Sequence, residues 1–374
     1  MALEAALPIL YRAFSLRPVD KRKVVILEHT ESGIDQSFAT LYRELGTMGD
    51  VKVRFMSTKN MGGAVGRIRG YLNVVREIAT AKAVAIRSTS FLINALPMRK
   101  DTKVAQLWHA CGAFKRFGAS IASPEGTRGT STQKAEDNKT SLVTVSSEEV
   151  VWAFVEAMRL QDRPEVVKPI GISRTDVFFD ADYLQASREL VSQRFPQIAG
   201  RSVILYAPTF RNEPSVATSP DELDIPALKE RLGEHYALLI KHHPIVADPP
   251  QVPESCRDFA LVAPADCSIN DLMCASDICV TDYSSLVFEW SLFEKPTAFF
   301  AFDLDSYLDE RGFYYDYDSM TPGPILKTTE ELGDWILSLD EGFDRTEIHA
   351  FRERFMGACD GHSTERIIAE MLAD

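Results

Sequence analysis

The sequence predicts an α/β protein built from two doubly wound, mostly parallel sheets that face a central cleft. Three observations support this fold class. Short apolar segments of strand length alternate with segments of helix length, and this alternation occurs twice along the chain. The chain has 374 residues, which is too long for one core of ordinary size. Residues 171–199 separate the two series, and we interpret them as the connection between two domains.

The first series begins with the apolar residues 23–29, which predict a strand. Its further strands are predicted at residues 51–57, 83–87, 104–108 and 141–145, with helices at residues 33–45 and 62–80. A third helix is expected to start at Ser146 or Ser147, because serine is a favoured N-cap residue. Glu148 and Glu149 then lie in the first turn, where the helix dipole favours acidic side chains.

The second series repeats this organisation after residue 200. Strands are predicted at residues 202–206, 237–240, 260–262, 278–281 and 297–301, and helices at residues 225–232, 269–274 and 285–293. We therefore expect an amphipathic basic segment at residues 1–22, a first domain at 23–185 and a second domain at 186–374. The last helix either stays in the second domain or crosses back to the first. Ligands are expected at the carboxyl ends of the strands.

The charge of the chain is unevenly distributed. The formal net charge is -13, which argues against a general nucleic-acid-binding protein. Residues 1–120 carry 19 Lys/Arg and 9 Asp/Glu, a net of +10, whereas residues 121–374 carry 22 and 45, a net of -23. The two halves are therefore expected to meet partners of different charge.

No segment has about 18 consecutive apolar residues, so no membrane-spanning helix is predicted. The first 16 residues lack a basic leader ahead of their apolar part, and no secretory signal is expected.

Histidines occupy two predicted strand ends. His109 follows the strand at 104–108, where a neutral imidazole could accept a proton from a hydroxyl nucleophile, or could simply pack the turn. His242 and His243 precede Pro244 at the end of another strand, and their side chains should point to opposite faces. A His pair also suits a metal, but no third ligand accompanies it at regular spacing, so no metal site is predicted.

The segment 281–285 predicts a strand end followed by a helix start. Ser284 and Ser285 open the helix, whose free N–H groups suit a phosphate, and Glu289 lies one turn further in. The alternative is ordinary helix capping by Asp282 or Ser284. The chain contains neither a Walker A motif nor a GxGxxG motif after its first strand.

Two arginines are further candidates for phosphate recognition. Arg211 follows the first strand of the second series, and Arg311 lies in an aromatic segment. A guanidinium group can bind phosphate through two parallel hydrogen bonds. The alternative is an ion pair with one of the many carboxylates of this acidic half.

Together these segments resemble the CDP-glycerol glycerophosphotransferase family, which acts in teichoic-acid and capsule synthesis. The resemblance covers about residues 100–330 and rests on five segments in series: Gln106-Leu107-Trp108-His109, Tyr206-Ala207-Pro208-Thr209-Phe210-Arg211, Lys241-His242-His243-Pro244, Thr281-Asp282-Tyr283-Ser284-Ser285 and the run from Lys295 to Ile325. It implies the GT-B fold and transfer of glycerol phosphate or ribitol phosphate from a CDP donor, with release of CMP.

The resemblance also implies roles for individual residues. His109 would be the general base on the acceptor side, and His243 the donor-phosphate contact or leaving-group partner. The implied phosphate contacts are Arg211, Ser284, Ser285 and Arg311, the nucleoside contacts are Glu289 and Pro244, and further candidates are Asp282, His242 and Thr209. No cofactor beyond the CDP-glycerol or CDP-ribitol donor is implied, and whether a divalent ion assists is left open.

The implied acceptor is a saccharide linked to a polyprenyl pyrophosphate, which would place the protein at the cytoplasmic face of the membrane as a peripheral protein. Two basic amphipathic segments agree with this expectation, one around Arg12 and one at residues 67–82. The alternative is that their apolar stripes cover the core.

The chain length fits the family's shorter priming or single-unit enzymes. A nucleotide-sugar glycosyltransferase of the same fold, acting on an envelope polysaccharide, is the alternative function, and a non-catalytic membrane scaffold is a third.

Overall fold

The computed structural model describes residues 2–108, 110–121, 138–310 and 312–373. In chain order the first elements are α1 (Ala2–Phe14), β1 (Asp20–Glu28), α2 (Gln36–Thr47), β2 (Lys52–Ser57), α3 (Ala64–Ala79), β3 (Ala81–Ile86), α4 (Phe91–Ala95), β4 (Lys103–Gln106), β5 (Leu142–Thr144), α5 (Val151–Ala157), β6 (Val167–Lys168) and α6 (Ala181–Arg194).

The elements that follow are β7 (Ser202–Tyr206), α7 (Ile225–Leu232), β8 (Tyr236–Ile240), β9 (Ala260–Val262), α8 (Ile269–Ala275), β10 (Ile278–Thr281), α9 (Leu286–Ser291), β11 (Thr297–Phe300), α10 (Leu304–Glu310), β12 (Ile325–Leu326), α11 (Thr329–Ser338), α12 (Thr346–Met356) and α13 (Ser363–Leu372). Short 3-10 helices lie at Gly118–Ser120, Glu148–Val150, Pro164–Val166, Ser173–Phe179, Pro196–Ile198, Pro214–Val216, Glu254–Cys256, Tyr317–Met320 and Leu339–Glu341.

The chain divides into two compact units. Unit 1 comprises Met1–Gly112, Phe117–Val177 and Gly357–Asp374, and unit 2 comprises Ala113–Arg116 and Phe178–Met356. Each unit has its own six-stranded sheet, and the strand pairs are parallel. The predicted fold class, an α/β protein with two parallel sheets, is confirmed.

The sheet of unit 1 has the strand order β2-β1-β3-β4-β5-β6. The chain leaves β1 toward one edge of the sheet and leaves β3 toward the other. The topological switch point, where ligands bind in open α/β sheets, therefore lies between the carboxyl ends of β1 and β3.

Helices cover both faces of this sheet, because alternate residues of its central strands point to opposite sides. Val25 and Leu27 of β1 pack in one apolar cluster with α1, α3 and α4. Val24 and Ile26 pack in another with α2 and α13. Both faces are buried, which is why β1 has a continuous apolar run instead of an alternating one.

Unit 1 also includes the segment Gly357–Asp374. The carboxylate of Asp176 accepts hydrogen bonds from the backbone N–H groups of Ser363 (3.1 Å) and Thr364 (2.7 Å) at the start of α13. Gly171 lies against the same place, with φ of +91° and Ala358 O only 2.4 Å from where a Cβ would stand. This contact requires glycine at position 171.

The sheet of unit 2 has the order β12-β11-β10-β7-β8-β9. The chain moves from β7 to β8 and β9 on one side, then returns to β10, β11 and β12 on the other. The switch point of this sheet therefore lies between the carboxyl ends of β7 and β10. The predicted strands 202–206, 260–262 and 278–281 agree with β7, β9 and β10 residue for residue.

Residues 171–199, interpreted from the sequence as an inter-domain connection, include helix α6. This helix packs on α8 of unit 2, where the hydroxyls of Tyr183 and Ser187 donate to Asp271 at 3.0 and 2.7 Å. The predicted boundary between residues 185 and 186 falls inside α6.

The N-terminal segment is only partly the exposed amphipathic helix that the pattern suggested. Leu7 and Tyr11 of α1 are buried against the core of unit 1, whereas Ile9 is 68% exposed and Leu16, just beyond the helix, is 89% exposed. The predicted stripe of α3 divides in the same way, since Val75 and Ile78 are buried and Ile68 is exposed. Within the described part of the chain, no helix is long and apolar enough to cross a bilayer.

Candidate active site

The sequence-predicted residues of unit 2 gather at the switch point of its sheet. Thr209 and Arg211 follow β7, His242 and His243 follow β8, and Asp282 follows β10. Parallel strands present their carboxyl ends at one edge, so segments distant in sequence meet there.

Asp282 holds the two sides of the switch point together. Its Oδ1 accepts hydrogen bonds from the backbone N–H groups of Thr209 (2.8 Å) and Tyr283 (2.6 Å). Its Oδ2 accepts one from Arg211 Nη1 at 3.0 Å. The residue is only 1% exposed, and its partners compensate the cost of burying a charge. Asp282 therefore ties the end of β10 to the loop after β7.

Arg211 is engaged by carboxylates. Its Nε and Nη2 donate to the two carboxylate oxygens of Asp303, at 2.6 and 3.0 Å, and its Nη1 donates to Asp282 and to the carbonyl of Thr209. Burial alone would lower the pKa of Arg211, but the hydrogen bonds and charges of Asp303 and Asp282 outweigh it and raise that pKa. The alternative of an ion pair is therefore realised, and the guanidinium has few donors left for a phosphate.

Aromatic rings enclose the Arg211 guanidinium. Its central carbon lies 5.1 Å from the ring centroid of Tyr283 and 5.2 Å from that of Tyr307, within cation–π range. The two tyrosine rings stack with centroids 3.7 Å apart. The Tyr283 hydroxyl donates to Asp303 at 2.9 Å, and burial followed by this carboxylate raises the pKa of Tyr283. The loops after β7, β10 and β11 are thus joined in one cluster.

His243 is an exposed imidazole with a defined proton position. The backbone N–H of Ile245 donates to its Nδ1 at 3.2 Å, so Nδ1 acts as acceptor and the ring proton belongs on Nε2. Its ring packs on Phe210, with centroids 5.0 Å apart. Partial desolvation, and then the positive charge of Lys115, lower the pKa of His243. The ring is therefore a neutral donor through Nε2 near pH 7.

His242 lies in different surroundings from His243, although both residues follow the end of β8 and are not in a strand. Its Nδ1 shares a hydrogen bond of 2.6 Å with the hydroxyl of Ser219, and its Nε2 is buried with no partner among the described residues. Burial lowers the pKa of His242. Thr209 is also buried, and its hydroxyl likewise has no hydrogen-bond partner in the described part of the chain.

The serines that open α9 are half-buried. The hydroxyl of Ser284 accepts a hydrogen bond from the backbone N–H of Leu286 at 3.2 Å, whereas Ser285 is the N-cap residue and makes no side-chain capping bond. The helix is six residues long. Glu289, predicted to contact a nucleoside, is buried in α9, and Pro244 is exposed beside His243.

Two predicted residues, His109 and Arg311, lie outside the described residues. Among the residues that are described, no group of three or more His, Cys, Asp and Glu side chains is arranged to hold a metal ion.

Sequence reasoning missed Asp303 and Tyr317. Asp303 binds Arg211 from 92 positions away, and the hydroxyl of Tyr317 donates to the carbonyl of Asp282 at 2.9 Å. Both residues fall in the long run from Lys295 to Ile325 that carries part of the resemblance. That run was the available signal, but it did not indicate which of its residues turn inward.

Two parallel sheets with ligand-binding switch points are the architecture of GT-B transferases, and the whole-chain comparison agrees. A solved structure of the wall teichoic acid polymerase TagF has a TM-score of 0.78 with this chain at 20% identity, covering 98% of this chain and 93% of the chain in that structure. The chain belongs to the CDP-glycerol:poly(glycerophosphate) glycerophosphotransferase family, whose profile matches residues 9–373.

Curated relatives are enzymes of teichoic acid synthesis. The teichoic acid ribitol-phosphate primase of Bacillus spizizenii is 33% identical, over 94% of this chain and 91% of its own length. The teichoic acid glycerol-phosphate primase of Bacillus subtilis is 30% identical, over 77% of this chain and 72% of its own length, as aligned over 295 residues. The protein is therefore a transferase of this family.

Proposed function

We propose that this protein transfers glycerol phosphate or ribitol phosphate from a CDP-alditol donor to a hydroxyl group of a teichoic acid acceptor and releases CMP. The observation that carries the proposal is the cluster at the β7–β10 switch point, in a chain of this family. The acceptor oxygen bonds to the β-phosphorus, and the bond from that phosphorus to the oxygen bridging to the α-phosphate breaks. Such a reaction depends on positioning and on charge stabilisation.

His243 is suited to the departing side of this reaction. Its Nε2–H can donate to a phosphate oxygen as negative charge develops on CMP, and the Ile245 N–H keeps that tautomer in place. Ser284 and Ser285 remain proposed phosphate contacts, and Pro244 a proposed nucleoside contact.

Other residues have a supporting role in the site, or have a role that only the family resemblance implies. We propose that Arg211 and Asp282 hold the donor-binding loops, because their hydrogen bonds go mainly to each other and to Asp303. The hydroxyl proton of the acceptor would pass to His109, and Arg311 would contact phosphate; both roles follow from the resemblance.

The experiment is release of CMP by purified protein given CDP-glycerol or CDP-ribitol and a lipid-linked saccharide acceptor. His243→Asn should lower kcat by about 10²–10³-fold, the usual cost of removing one hydrogen-bond donor to developing negative charge. His349→Asn is the matched control, since His349 is an exposed imidazole of unit 2 that is paired with Glu294. Absence of CMP release with every donor and acceptor pair would refute the proposal.

Ligand-induced thermal stabilisation separates this proposal from the alternative. Stabilisation by CDP-glycerol or CDP-ribitol supports it, whereas stabilisation by a UDP-sugar alone supports a nucleotide-sugar glycosyltransferase. Comparing CMP release with and without EDTA tests whether a divalent ion assists the transfer.

We further propose that the protein adds a single alditol phosphate unit to the acceptor, because it is similar to the two primases. Mass spectrometry of the product measures the number of units and, through the mass added, distinguishes ribitol phosphate from glycerol phosphate. A ladder of products would contradict single addition.

We also propose that unit 1 binds the anionic cytoplasmic face of a membrane, where a polyprenyl-pyrophosphate-linked acceptor would lie. The helices α1 and α3 pack together, and each presents exposed apolar residues beside exposed arginines. These residues are Ile9 with Arg12 in α1, Leu16 with Arg17 just beyond α1, and Val65 and Ile68 with Arg67 and Arg69 in α3. Each basic residue near an anionic surface contributes about 1 kcal/mol.

Flotation with vesicles tests the membrane proposal. Binding should require anionic lipid, weaken with salt, and fall in the double variant Ile9→Ser/Ile68→Ser. Leu190→Ser, an exposed apolar residue of α6 in unit 2, is the control. Equal flotation of all three proteins, or binding to neutral vesicles alone, would contradict it.

A further inference from the structure

The switch point of unit 1, like that of unit 2, contains a network of charged side chains. Neither the sequence patterns nor the proposed donor site involve this network. Glu28 ends β1, and Arg87 directly follows β3. Arg87 Nη2 lies 3.6 Å from Glu28 Oε1, and Arg87 Nη1 lies 3.3 Å from a carboxylate oxygen of Asp35 at the start of α2. Arg87 also donates to the hydroxyl of Thr30. An ion-pair network therefore spans the place where open α/β sheets bind ligands.

Glu28 is a buried carboxylate that accepts hydrogen bonds through only one of its two oxygens among the described residues. The residue is 2% exposed, and its Oε1 accepts hydrogen bonds from the backbone N–H of His29 and from both the N–H and the hydroxyl of Thr30. Burial would raise the pKa of Glu28, but these hydrogen bonds and the charge of Arg87 lower it, so the group is ionised near pH 7. Its Oε2 has no hydrogen-bond donor among the described residues. An ionised oxygen left in this state calls for an explanation.

Two more buried polar atoms at the same edge lack partners in the described part of the chain. They are Gln106 Nε2 at the end of β4 and Ser147 Oγ shortly after β5. Both residues are at least nine-tenths buried. The carboxyl edge of this sheet thus contains one acceptor (Glu28 Oε2), one donor (Gln106 Nε2) and one hydroxyl (Ser147 Oγ) that have no hydrogen-bond partner among the described residues. Such a set matches a ligand with several hydroxyl groups.

The charges at this edge disfavour an anionic ligand. Arg87 lies against the two carboxylates Glu28 and Asp35, and the charge of Arg174 also acts on Asp35, so two arginines are balanced by two carboxylates. Asp35 also caps the start of α2 by accepting from the N–H of Ser37 at 2.9 Å. His29 adds no positive charge, since burial lowers its pKa and both ring nitrogens are hydrogen-bonded, to Thr58 and Ser90. A phosphate would have to displace a carboxylate to bind Arg87, whereas an uncharged hydroxyl group could bind without displacing an ion.

Two exposed apolar side chains are sequence neighbours of residues in and around the network. Phe91 begins α4 immediately after Ser90 and is 69% exposed, and Ile34 precedes Asp35 and is also exposed. An exposed phenyl ring offers a flat apolar surface to the C–H groups of a sugar or alditol.

We propose that the β1–β3 switch point of unit 1 binds an uncharged polyol or saccharide, with Glu28 and Arg87 bonding its hydroxyl groups and Phe91 covering its C–H face. Its identification with the acceptor substrate rests on the proposed function; the binding itself does not.

Ligand-observed saturation-transfer NMR tests the binding directly, with ribitol and N-acetylglucosamine as probes and inorganic phosphate as competitor. The wild-type protein should transfer saturation to at least one probe, and phosphate should not displace it. Glu28→Gln should weaken binding by about tenfold, the effect of losing one hydrogen bond to a charged group. Phe91→Ala should also weaken it, and because Phe91 is exposed this truncation leaves the core intact.

Matched controls have equivalent side chains elsewhere. Glu77→Gln alters a carboxylate of unit 1 that is paired with Lys23, and Leu190→Ala truncates an exposed apolar residue of unit 2. No transfer to either probe, equal transfer in all five proteins, or displacement by phosphate would overturn the proposal. Thermal unfolding of Phe91→Ala and Glu28→Gln monitors folding, and if Glu28→Gln fails to fold, Phe91→Ala decides.

A kinetic experiment links the subsite to the acceptor. Phe91→Ala should raise KM for the acceptor while leaving KM for the CDP-alditol unchanged, and Leu190→Ala should change neither. If the wild-type protein releases no CMP with any substrate pair, the proposed function fails, and the NMR result still decides whether the polyol subsite exists. If CMP is released and Phe91→Ala behaves like Leu190→Ala, the subsite does not serve the acceptor.

Discussion

Replacing Arg211 by methionine should destabilise unit 2 strongly. The substitution keeps a long unbranched side chain but removes four hydrogen bonds, three of them to carboxylates. Breaking a buried ion pair by removing one partner costs about 3–5 kcal/mol, since the other charge is left uncompensated. Asp282 keeps two backbone N–H donors, and Asp303 is partly exposed to water. We therefore expect a loss near the lower limit, about 3 kcal/mol.

Hydrogen exchange followed by mass spectrometry resolves this effect within the chain. Peptides that cover residues 202–211 and 278–285 should lose protection in Arg211→Met, because the loops after β7 and β10 are no longer joined. Urea unfolding of the same variant gives the total change in the free energy of unfolding. Comparison with Arg211→Met/Asp282→Asn should show a double-variant cost below the sum of the single costs, since the two residues are in contact.

Arg231→Met is the control for this prediction. Arg231 forms an ion pair with Asp334 in unit 2, but both side chains are far more exposed than those of Arg211 and Asp282. Exposed pairs contribute about 0–1 kcal/mol. If Arg211→Met costs no more than Arg231→Met, or leaves exchange at the ends of β7 and β10 unchanged, the role assigned to Arg211 as a clamp of the switch point is wrong.

Three further predictions concern His243, Asp176 and Gly171. Protonation of His243 would place a proton on Nδ1 and break its hydrogen bond with the Ile245 N–H, which holds the ring in place; because the pKa of His243 is lowered, kcat should hold as pH falls to about 6.5 and decline only as pH passes below the residue's own pKa. Asp176→Ala should cost about 2–4 kcal/mol, because it leaves the N–H groups that start α13 unpaired, and limited proteolysis should then cut near residue 357. Gly171→Ala should destabilise more than Gly200→Ala, since both have positive φ but only residue 171 faces a backbone oxygen; urea unfolding measures both.

Each of these predictions can fail clearly. A kcat that declines well above pH 6.5 would contradict the neutral-donor role of His243. Unchanged proteolysis of Asp176→Ala would show that this carboxylate does not hold α13 in unit 1. Equal costs for the two glycine variants, each about 1–2 kcal/mol from backbone strain alone, would show that the neighbouring chain simply moves away from residue 171.

The central strands were predictable from the sequence because they are buried on both faces and therefore apolar throughout. This holds for β7 and β10, whose ends match the prediction; the ends of the edge strand β9 match as well, although it is only partly buried. Helix α6 was not recognised, since its buried positions include Ser187 and its partner on α8 is the polar Asp271. A helix held by hydroxyl–carboxylate contacts has no apolar stripe for sequence patterns to detect.

The candidate site was predictable in position but only partly in chemistry. The strand-end positions of Arg211, His243 and Asp282 follow from the alternation of elements, so their convergence could be expected. The partner of Arg211 could not, because many carboxylates of the acidic half are equally available in sequence. Likewise, the Glu28–Arg87 network could not be predicted, since a single Glu at a strand end and a single Arg 59 positions later form no local motif.

The order in which the chain is synthesised has a consequence for unit 1. Ile367, Ile368 and Met371 of α13 cover the face of β1, β3 and β4 that also contacts α2. Until these residues have left the ribosome, apolar side chains such as Ile26 and Ala85 lack their cover, whereas all of residues 178–356 are already available to unit 2. Unit 2 can therefore complete its core before unit 1 does. Nascent chains should then expose an apolar surface on unit 1 that chaperones recognise. Truncation before residue 363 would leave this surface exposed permanently.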